Sequence, residues 1–151
     1  MMKIGDVFEI KTKKGNAYFQ FSGRIPPMGA LIRVLPGTFQ HLPLDMDELV
    51  ASRTNFWIFF PVSAAEKRGI VRKIKNYKIP EHSVRSPIFR TGIVDPSTKK
   101  VESWWLWDGE TEWEVGALTD ELRKLPIRGA WNDTLLVERI EEGWLPENDK
   151  R

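Results

Sequence analysis

The stretch Val7-Phe8-Glu9-Ile10-Lys11 decides the fold, because successive side chains along it alternate between the two faces of a strand. Residues 7, 9 and 11 alternate with the apolar residues 8 and 10, a period typical of a β-strand. A turn at residues 14–16 follows, and the chain returns through residues 17–21. This arrangement predicts a β-hairpin at the start of the chain.

Strand-like segments recur along the rest of the sequence. They are residues 30–35, 56–60, 70–77, 88–94, 101–107 and 111–115. The run 56–60 is continuously apolar and ends at Pro61, which favours a strand buried on both faces over an exposed edge. Turns are predicted at Asp95-Pro96 and at Asp108-Gly109 or Asp108-Gly109-Glu110, so we expect two further hairpins in the second half of the chain.

Helical signals are short, with one exception near the carboxyl terminus. Residues 44–50 predict one turn capped by Asp45 or Asp47, and Ser63-Ala64-Ala65-Glu66 has the pattern of a capping box. Residues 119–124 predict another turn, and residues 133–142 the longest helix, capped by Asn132 or Asp133. We therefore expect one domain over residues 1–151 with a mainly β (β-rich α+β) fold. Its form is a twisted antiparallel sheet or small barrel with short helices and one C-terminal helix.

The composition excludes several classes of protein. The chain has 151 residues, of which 41% are hydrophobic, and no cysteine, so disulfides and thiolate metal sites are excluded. Residues 1–14 lack the pattern of a signal peptide, and the longest apolar stretch, 56–62, is too short to span a bilayer. We expect a cytoplasmic protein without membrane contact.

Sequence motifs for catalysis are missing. The only histidines are His41 and His82, and His82 reads as a loop residue between Glu81 and Ser83. Neither a phosphate-binding loop, nor a dinucleotide motif, nor a nucleophile flanked by glycines occurs in the sequence. The sequence therefore predicts no metal site and no cofactor, and favours a binding protein over an enzyme.

Charge is segregated along the chain. Residues 1–100 hold 17 basic and 8 acidic side chains, a net charge of +9, whereas residues 101–151 hold 6 and 13, a net charge of −7. Two alternatives remain open at this point. The fold presents separate basic and acidic faces that attract oppositely charged partners, or the two halves neutralise each other.

Tryptophan and acidic residues coincide in one predicted hairpin. Four of the seven tryptophans lie between residues 104 and 113, and the returning strand predicts Trp113 and Val115 inward, with Trp113 opposite Trp104 or Trp105. Core packing accounts for most of these rings, but Trp107 or Trp113 left partly exposed would suit an interface anchor. A regular strand also places Glu110, Glu112 and Glu114 on one face. The predicted partner-binding residues are Trp107, Asp108, Glu110, Glu112, Trp113 and Glu114.

The first residues resemble a known family. Lys3-Ile4-Gly5-Asp6-Val7-Phe8-Glu9-Ile10, followed by Gly15, Tyr18 and Gln20, is similar to the opening of the immunity protein 26 family of bacterial polymorphic toxin systems. That family also includes proteins labelled as small phosphotriesterases. The resemblance implies a cytoplasmic bacterial protein that binds and blocks a cognate toxin protein, often encoded by the adjacent gene.

Two other functions compete with toxin neutralisation. The second label of the family implies a phosphotriesterase-like or esterase-like hydrolase, although nothing in the sequence obviously activates water. The basic segment 67–78, which contains no acidic residue, suits contacts with phosphates of a nucleic acid. No RNA- or DNA-binding motif accompanies it, so nucleic acid is the less favoured partner.

Overall fold

The computed structural model describes residues 2–151, which form two antiparallel sheets and a few short helices. The first part contains β1 (Asp6–Thr12), β2 (Gly15–Ile25), β3 (Gly29–Val34), α1 (Met46–Ala51), β4 (Phe56–Phe59), α2 (Val62–Lys67) and β5 (Val71–Asn76). The second part contains β6 (Phe89–Thr91), β7 (Trp104–Trp107), β8 (Glu112–Gly116), α3 (Asp120–Arg123) and α4 (Asp133–Glu141). Single 3-10 turns lie at Glu81–Ser83 and Pro146–Asn148.

The strand order confirms the β-rich α+β fold. The larger sheet has the order β4-β3-β2-β1-β5 and the smaller one the order β6-β7-β8. All the pairs inside these sheets are antiparallel, and both sheets are open rather than closed into a barrel.

The first hairpin forms as the alternation predicts, with a turn one residue earlier than expected. Val7 pairs with Gln20 and Thr12 with Gly15, so β2 begins at Gly15 and the turn consists of residues 13–14. Gly15 has a φ of +121°, and a Cβ there would lie 2.8 Å from the backbone oxygen of Phe39. Glycine is therefore needed both for this conformation and for the close approach of residue 39.

The main core lies between the larger sheet and the carboxyl-terminal helix. Apolar side chains of β1, β2 and β4 pack there with Leu136 of α4, which is fully buried. Aromatic pairs dominate the contact: Trp131 and Trp144 lie 4.9 Å apart at their ring centroids, and Phe56 lies 5.2 Å from Trp144. This burial of apolar surface is the main driving force for folding and explains why the carboxyl-terminal helix docks on the sheet.

One extended segment, residues 126–131, connects the two sheets. Phe59 of β4 forms a parallel bridge with Ala130, and Arg90 of β6 forms one with Ile127. β4 is therefore the last strand of its sheet, yet Phe56, Ile58 and Phe59 are buried, which agrees with the predicted strand buried on both faces. Segment 126–131 covers its outer edge, which explains why an edge strand is so apolar.

The helix caps are partly as predicted. Asp45, Thr119 and Asn132 each accept a hydrogen bond from a backbone N–H in the first turn of α1, α3 and α4. The capping box predicted at residues 63–66 is wrong, because α2 begins at Val62 and Pro61 occupies the N-cap position. Ser63 consequently lies inside the first turn, where its side chain makes no capping hydrogen bond.

Candidate interaction surface

The predicted hairpin forms from β7 and β8, and its turn is held by Asp108. One carboxylate oxygen of Asp108 accepts hydrogen bonds from the backbone N–H groups of Glu110, at 2.9 Å, and Thr111, at 2.8 Å. These bonds from Thr111 and Glu110 lower the pKa of Asp108. Gly109 supplies the positive φ of +103° that the turn requires. The carboxylate at the tip of the hairpin is therefore ionised and fixed in place.

The register of the hairpin differs from the predicted one. Trp113 pairs with Leu106, not with Trp104 or Trp105, and Glu112 pairs with Trp107. The register shifts between residues 104 and 105, an irregularity that side-chain alternation cannot reveal. Because successive residues of a strand point to opposite faces, Trp113 lies on the opposite face of the hairpin from Glu112.

Trp107 is a core residue, so of the two rings considered as an exposed anchor, Trp107 is not the exposed one. Only 5% of its surface is exposed, and its ring packs 5.5 Å from that of Phe89 at the centroids. Phe59 also contacts it, so this indole fills the space between the two sheets. Fixed in that position, Trp107 holds the smaller sheet against β4 and cannot reach a partner.

Two other indoles are the exposed aromatic groups of the hairpin. Trp113 is 38% exposed, which contradicts its predicted inward position but agrees with the prediction that Trp107 or Trp113 stays partly exposed. Trp105 is 39% exposed. Trp105 pairs with Glu114 and so lies on the same face as the glutamates of β8. The sequence prediction missed Trp105, because Trp105 and Trp107 lie on the same face of β7 and nothing in the local sequence shows which of them is buried.

The acidic side chains of the hairpin have few internal partners. Glu112 forms an ion pair with Arg128, with 3.2 Å between Oε2 and Nη1. Glu114 accepts a hydrogen bond of 2.6 Å from the Ser103 hydroxyl. Among residues 2–151, no lysine or arginine forms an ion pair with Asp108, Glu110 or Glu114, and all three side chains are exposed.

A groove of about 680 Å³ lies next to this acidic face. Residues 91–96, 102–103, Trp105, Glu112 and Arg128 line it. Ile93 in this lining is 90% exposed. The groove therefore combines an indole, an isoleucine and carboxylates.

The basic segment 67–78 lies on the other sheet, along α2 and β5. Arg72 pairs with Glu9 at 3.1 Å, and Lys73 pairs with Asp6 at 3.2 Å. Burial of Asp6 raises its pKa, but hydrogen bonds from the Lys3 backbone and Asn76, together with Lys73, lower the pKa below its usual value. Strand β1 therefore neutralises part of this basic surface.

The two halves of the chain do not neutralise each other through ion pairs. Of the six ion pairs in residues 2–151, two lie within the first hundred residues and four lie within residues 101–151. None joins a basic residue of the first half to an acidic residue of the second. Ion pairing inside the fold therefore leaves the charge segregation of the sequence in place.

His82 and Ser83 belong to one hydrogen-bonded network. His82 Nδ1 lies 2.8 Å from Ser83 Oγ, and His82 Nε2 lies 3.0 Å from the Ala51 carbonyl oxygen. Because a carbonyl only accepts, Nε2 is the donor in the contact with Ala51. Ser83 is 2% exposed, so its hydroxyl cannot reach a substrate. Within residues 2–151, no group of three or more His, Asp or Glu side chains is placed to hold a metal ion.

Comparison with protein-family models, curated proteins and solved structures finds no match to this chain. The resemblance of its first twenty residues to the immunity protein 26 family therefore stays a prediction. In residues 2–151, no helix has the length and apolar character needed to cross a bilayer.

Proposed function

We propose that this protein is a binding protein that uses the acidic face of the β7–β8 hairpin to dock onto a basic surface of another protein. The observation that carries the proposal is the state of Asp108, Glu110 and Glu114, which are exposed and have no basic partner in residues 2–151. Uncompensated carboxylates on a rigid hairpin generate a negative potential, which accelerates association with a positive surface.

Trp105 supplies the apolar part of the same face. It lies beside Glu114 and lines the groove that also contains Ile93. Exposed tryptophan with carboxylates around it is typical of an interface with an aromatic anchor and a charged rim. The docking surface therefore consists of Trp105, Asp108, Glu110, Glu112 and Glu114, while Trp113 lies on the opposite face.

The finer proposal is immunity: the partner is a cognate bacterial toxin, and binding blocks it. The acidic face suits a toxin with a positive active-site cleft, such as a nuclease, because carboxylates occupy the place of the phosphates of nucleic acid. The likeness of the first twenty residues to immunity protein 26 sequences supports this assignment, as does the absence of catalytic sequence motifs.

Co-purification with the product of the adjacent gene tests the proposal. We expect a complex at micromolar concentration and recovery of growth when both genes are expressed together. The double variant Glu110→Lys/Glu114→Lys should slow association about tenfold at low salt, because steering depends on charge. It leaves the Glu112–Arg128 pair intact.

The matched control is Glu138→Lys/Glu147→Lys, which changes the net charge equally at exposed positions outside the hairpin. The control should bind at nearly the wild-type rate. Absence of a complex with the adjacent gene product contradicts immunity, and equal slowing by both double variants contradicts docking through the hairpin.

A further inference from the structure

The two sheets have four outer edges, and only two of them are covered. The outer edges of β4 and β6 pair with segment 126–131 through the bridges at Ala130 and Ile127. β5 and β8 are the other two outer strands, and no strand or isolated bridge in residues 2–151 pairs with their free sides. Such edges present unsatisfied backbone N–H and C=O groups, which can pair with another chain.

The two open edges carry opposite charges. β5 contains Arg72, Lys73 and Lys75, and Lys78 follows it; Lys75 and Lys78 form no ion pair within residues 2–151. β8 contains Glu112 and Glu114, and Glu110 lies in the turn before it. The difference follows the charge segregation of the whole sequence.

These charges determine which edges of two copies can approach. Two β5 edges repel each other because both are basic, and two β8 edges repel because both are acidic. A β5 edge and a β8 edge attract. The strands also have similar lengths, six residues in β5 and five in β8, so most of each edge can be paired.

We propose that β8 of one copy of this chain adds to β5 of a second copy, head to tail, forming an intermolecular sheet held by backbone hydrogen bonds and glutamate–lysine pairs. The interface is heterologous, so a pair of copies keeps one free β5 edge on the first copy and one free β8 edge on the second, and the assembly grows into a ring or an open filament. This inference goes beyond the proposed function, since the second copy uses a basic surface that the proposed toxin does not need.

Both the toxin and the second copy would occupy the acidic hairpin. A basic partner bound at Glu110 and Glu114 places its own surface against β8, so it competes with a neighbouring β5. The proposed assembly is therefore a form of the free protein that dissociates when the partner binds.

Sedimentation and light scattering at low ionic strength test the assembly. We expect a mass that rises with concentration from the 17.5 kDa of one chain to that of two or more copies. At about 1 M salt the Debye length falls to about 3 Å, and the mass should return to that of one chain. Hydrogen exchange should slow at residues 71–76 and 112–116 in the assembled sample.

Charge-reversed variants show whether β5 meets β8. Glu110→Lys/Glu114→Lys and Lys75→Glu/Lys78→Glu should each stay monomeric, because each removes one of the two complementary edges. An equal mixture of these variants should associate again. The β8 edge of the first variant is then basic, the β5 edge of the second is acidic, and the two edges attract each other. The control Glu138→Lys/Glu147→Lys should assemble like the wild type.

Several results would overturn the proposal. A monomer at all concentrations and salt levels contradicts it, as does assembly that both reversed variants retain or that protects neither strand from hydrogen exchange. Lys75→Glu/Lys78→Glu also separates this inference from the proposed function. That variant should still bind the adjacent gene product while it fails to self-associate.

Discussion

Arg33 lies fully buried in β3 without a carboxylate partner. Its Nε donates to Gln20 at 2.8 Å, and its terminal nitrogens donate to the carbonyl oxygens of Val50 and Ser52 and to the Thr54 hydroxyl. Burial lowers the pKa of Arg33 to about 10, so the guanidinium remains charged at neutral pH. One side chain therefore ties the end of α1 and the start of β4 to the middle of the sheet.

Replacing Arg33 with methionine should strongly destabilise the protein. Arg33→Met leaves several buried acceptors without a donor, so we expect the free energy of unfolding to fall by about 3–5 kcal/mol. Urea titration followed by tryptophan fluorescence measures this loss. The control is Arg53→Met, because Arg53 is exposed and forms no ion pair or side-chain hydrogen bond in residues 2–151; it should change stability by less than about 0.5 kcal/mol. Similar effects of both variants would contradict the role of Arg33.

At the scale of single elements, the cap of α4 differs from that of α2. The Asn132 side chain accepts the N–H of Leu135 at 2.8 Å and so satisfies one free donor of α4. α2 has no such bond, since Pro61 occupies its N-cap position. The serine of the predicted capping box therefore contributes nothing at the start of α2.

This difference predicts unequal effects of two alanine substitutions. Asn132→Ala should cost about 1 kcal/mol, because it leaves a helix N–H without its acceptor. Ser63→Ala should change stability by less than about 0.5 kcal/mol, since alanine is also a better helix former. Thermal unfolding of the two variants under identical conditions measures both. A larger loss for Ser63→Ala would show that the hydroxyl does stabilise α2.

The elements show what can be read from a sequence. Strand positions follow from side-chain alternation and turn residues, and both act locally, so the hairpin of β1 and β2 was predictable. The neighbours of a strand in its sheet cannot be predicted in this way, because the pairing of β4 with segment 126–131 depends on residues some seventy positions away. Sequence alternation cannot distinguish an edge covered by such a segment from a central strand.

At the candidate site, too, local sequence patterns predict positions along the chain but not long-range packing. Local sequence correctly placed the turn at Asp108 and put Glu112 and Glu114 in the strand after it, but Glu110, predicted on the same strand face, lies in the turn. It did not distinguish Trp107 from Trp105, since both share a face and only the position of the larger sheet decides which one is buried. Register irregularities add to this difficulty, because one shift moves a side chain to the other face.

At the scale of the whole molecule, segment 126–131 connects the two sheets through backbone hydrogen bonds. The backbone N–H of Arg128 donates to the Arg90 carbonyl at 2.9 Å, and that of Trp131 donates to the Phe59 carbonyl at 3.0 Å. Arg90 and Phe59 are fully buried, so their carbonyls have few other donors. We therefore expect both sheets to unfold together.

Proline at position 128 should separate the stability of the two sheets. Arg128→Pro removes the N–H that reaches β6, whereas Arg128→Ala removes only the side chain that pairs with Glu112. Relative to Arg128→Ala, we expect a further loss of about 1–3 kcal/mol for the unsatisfied Arg90 carbonyl. Hydrogen exchange should then accelerate in β6–β8 more than in β1–β3, because the smaller sheet loses a main-chain attachment while the larger sheet keeps its own core. Equal acceleration in both sheets would instead mean that side-chain packing around Trp107, and not segment 126–131, joins them.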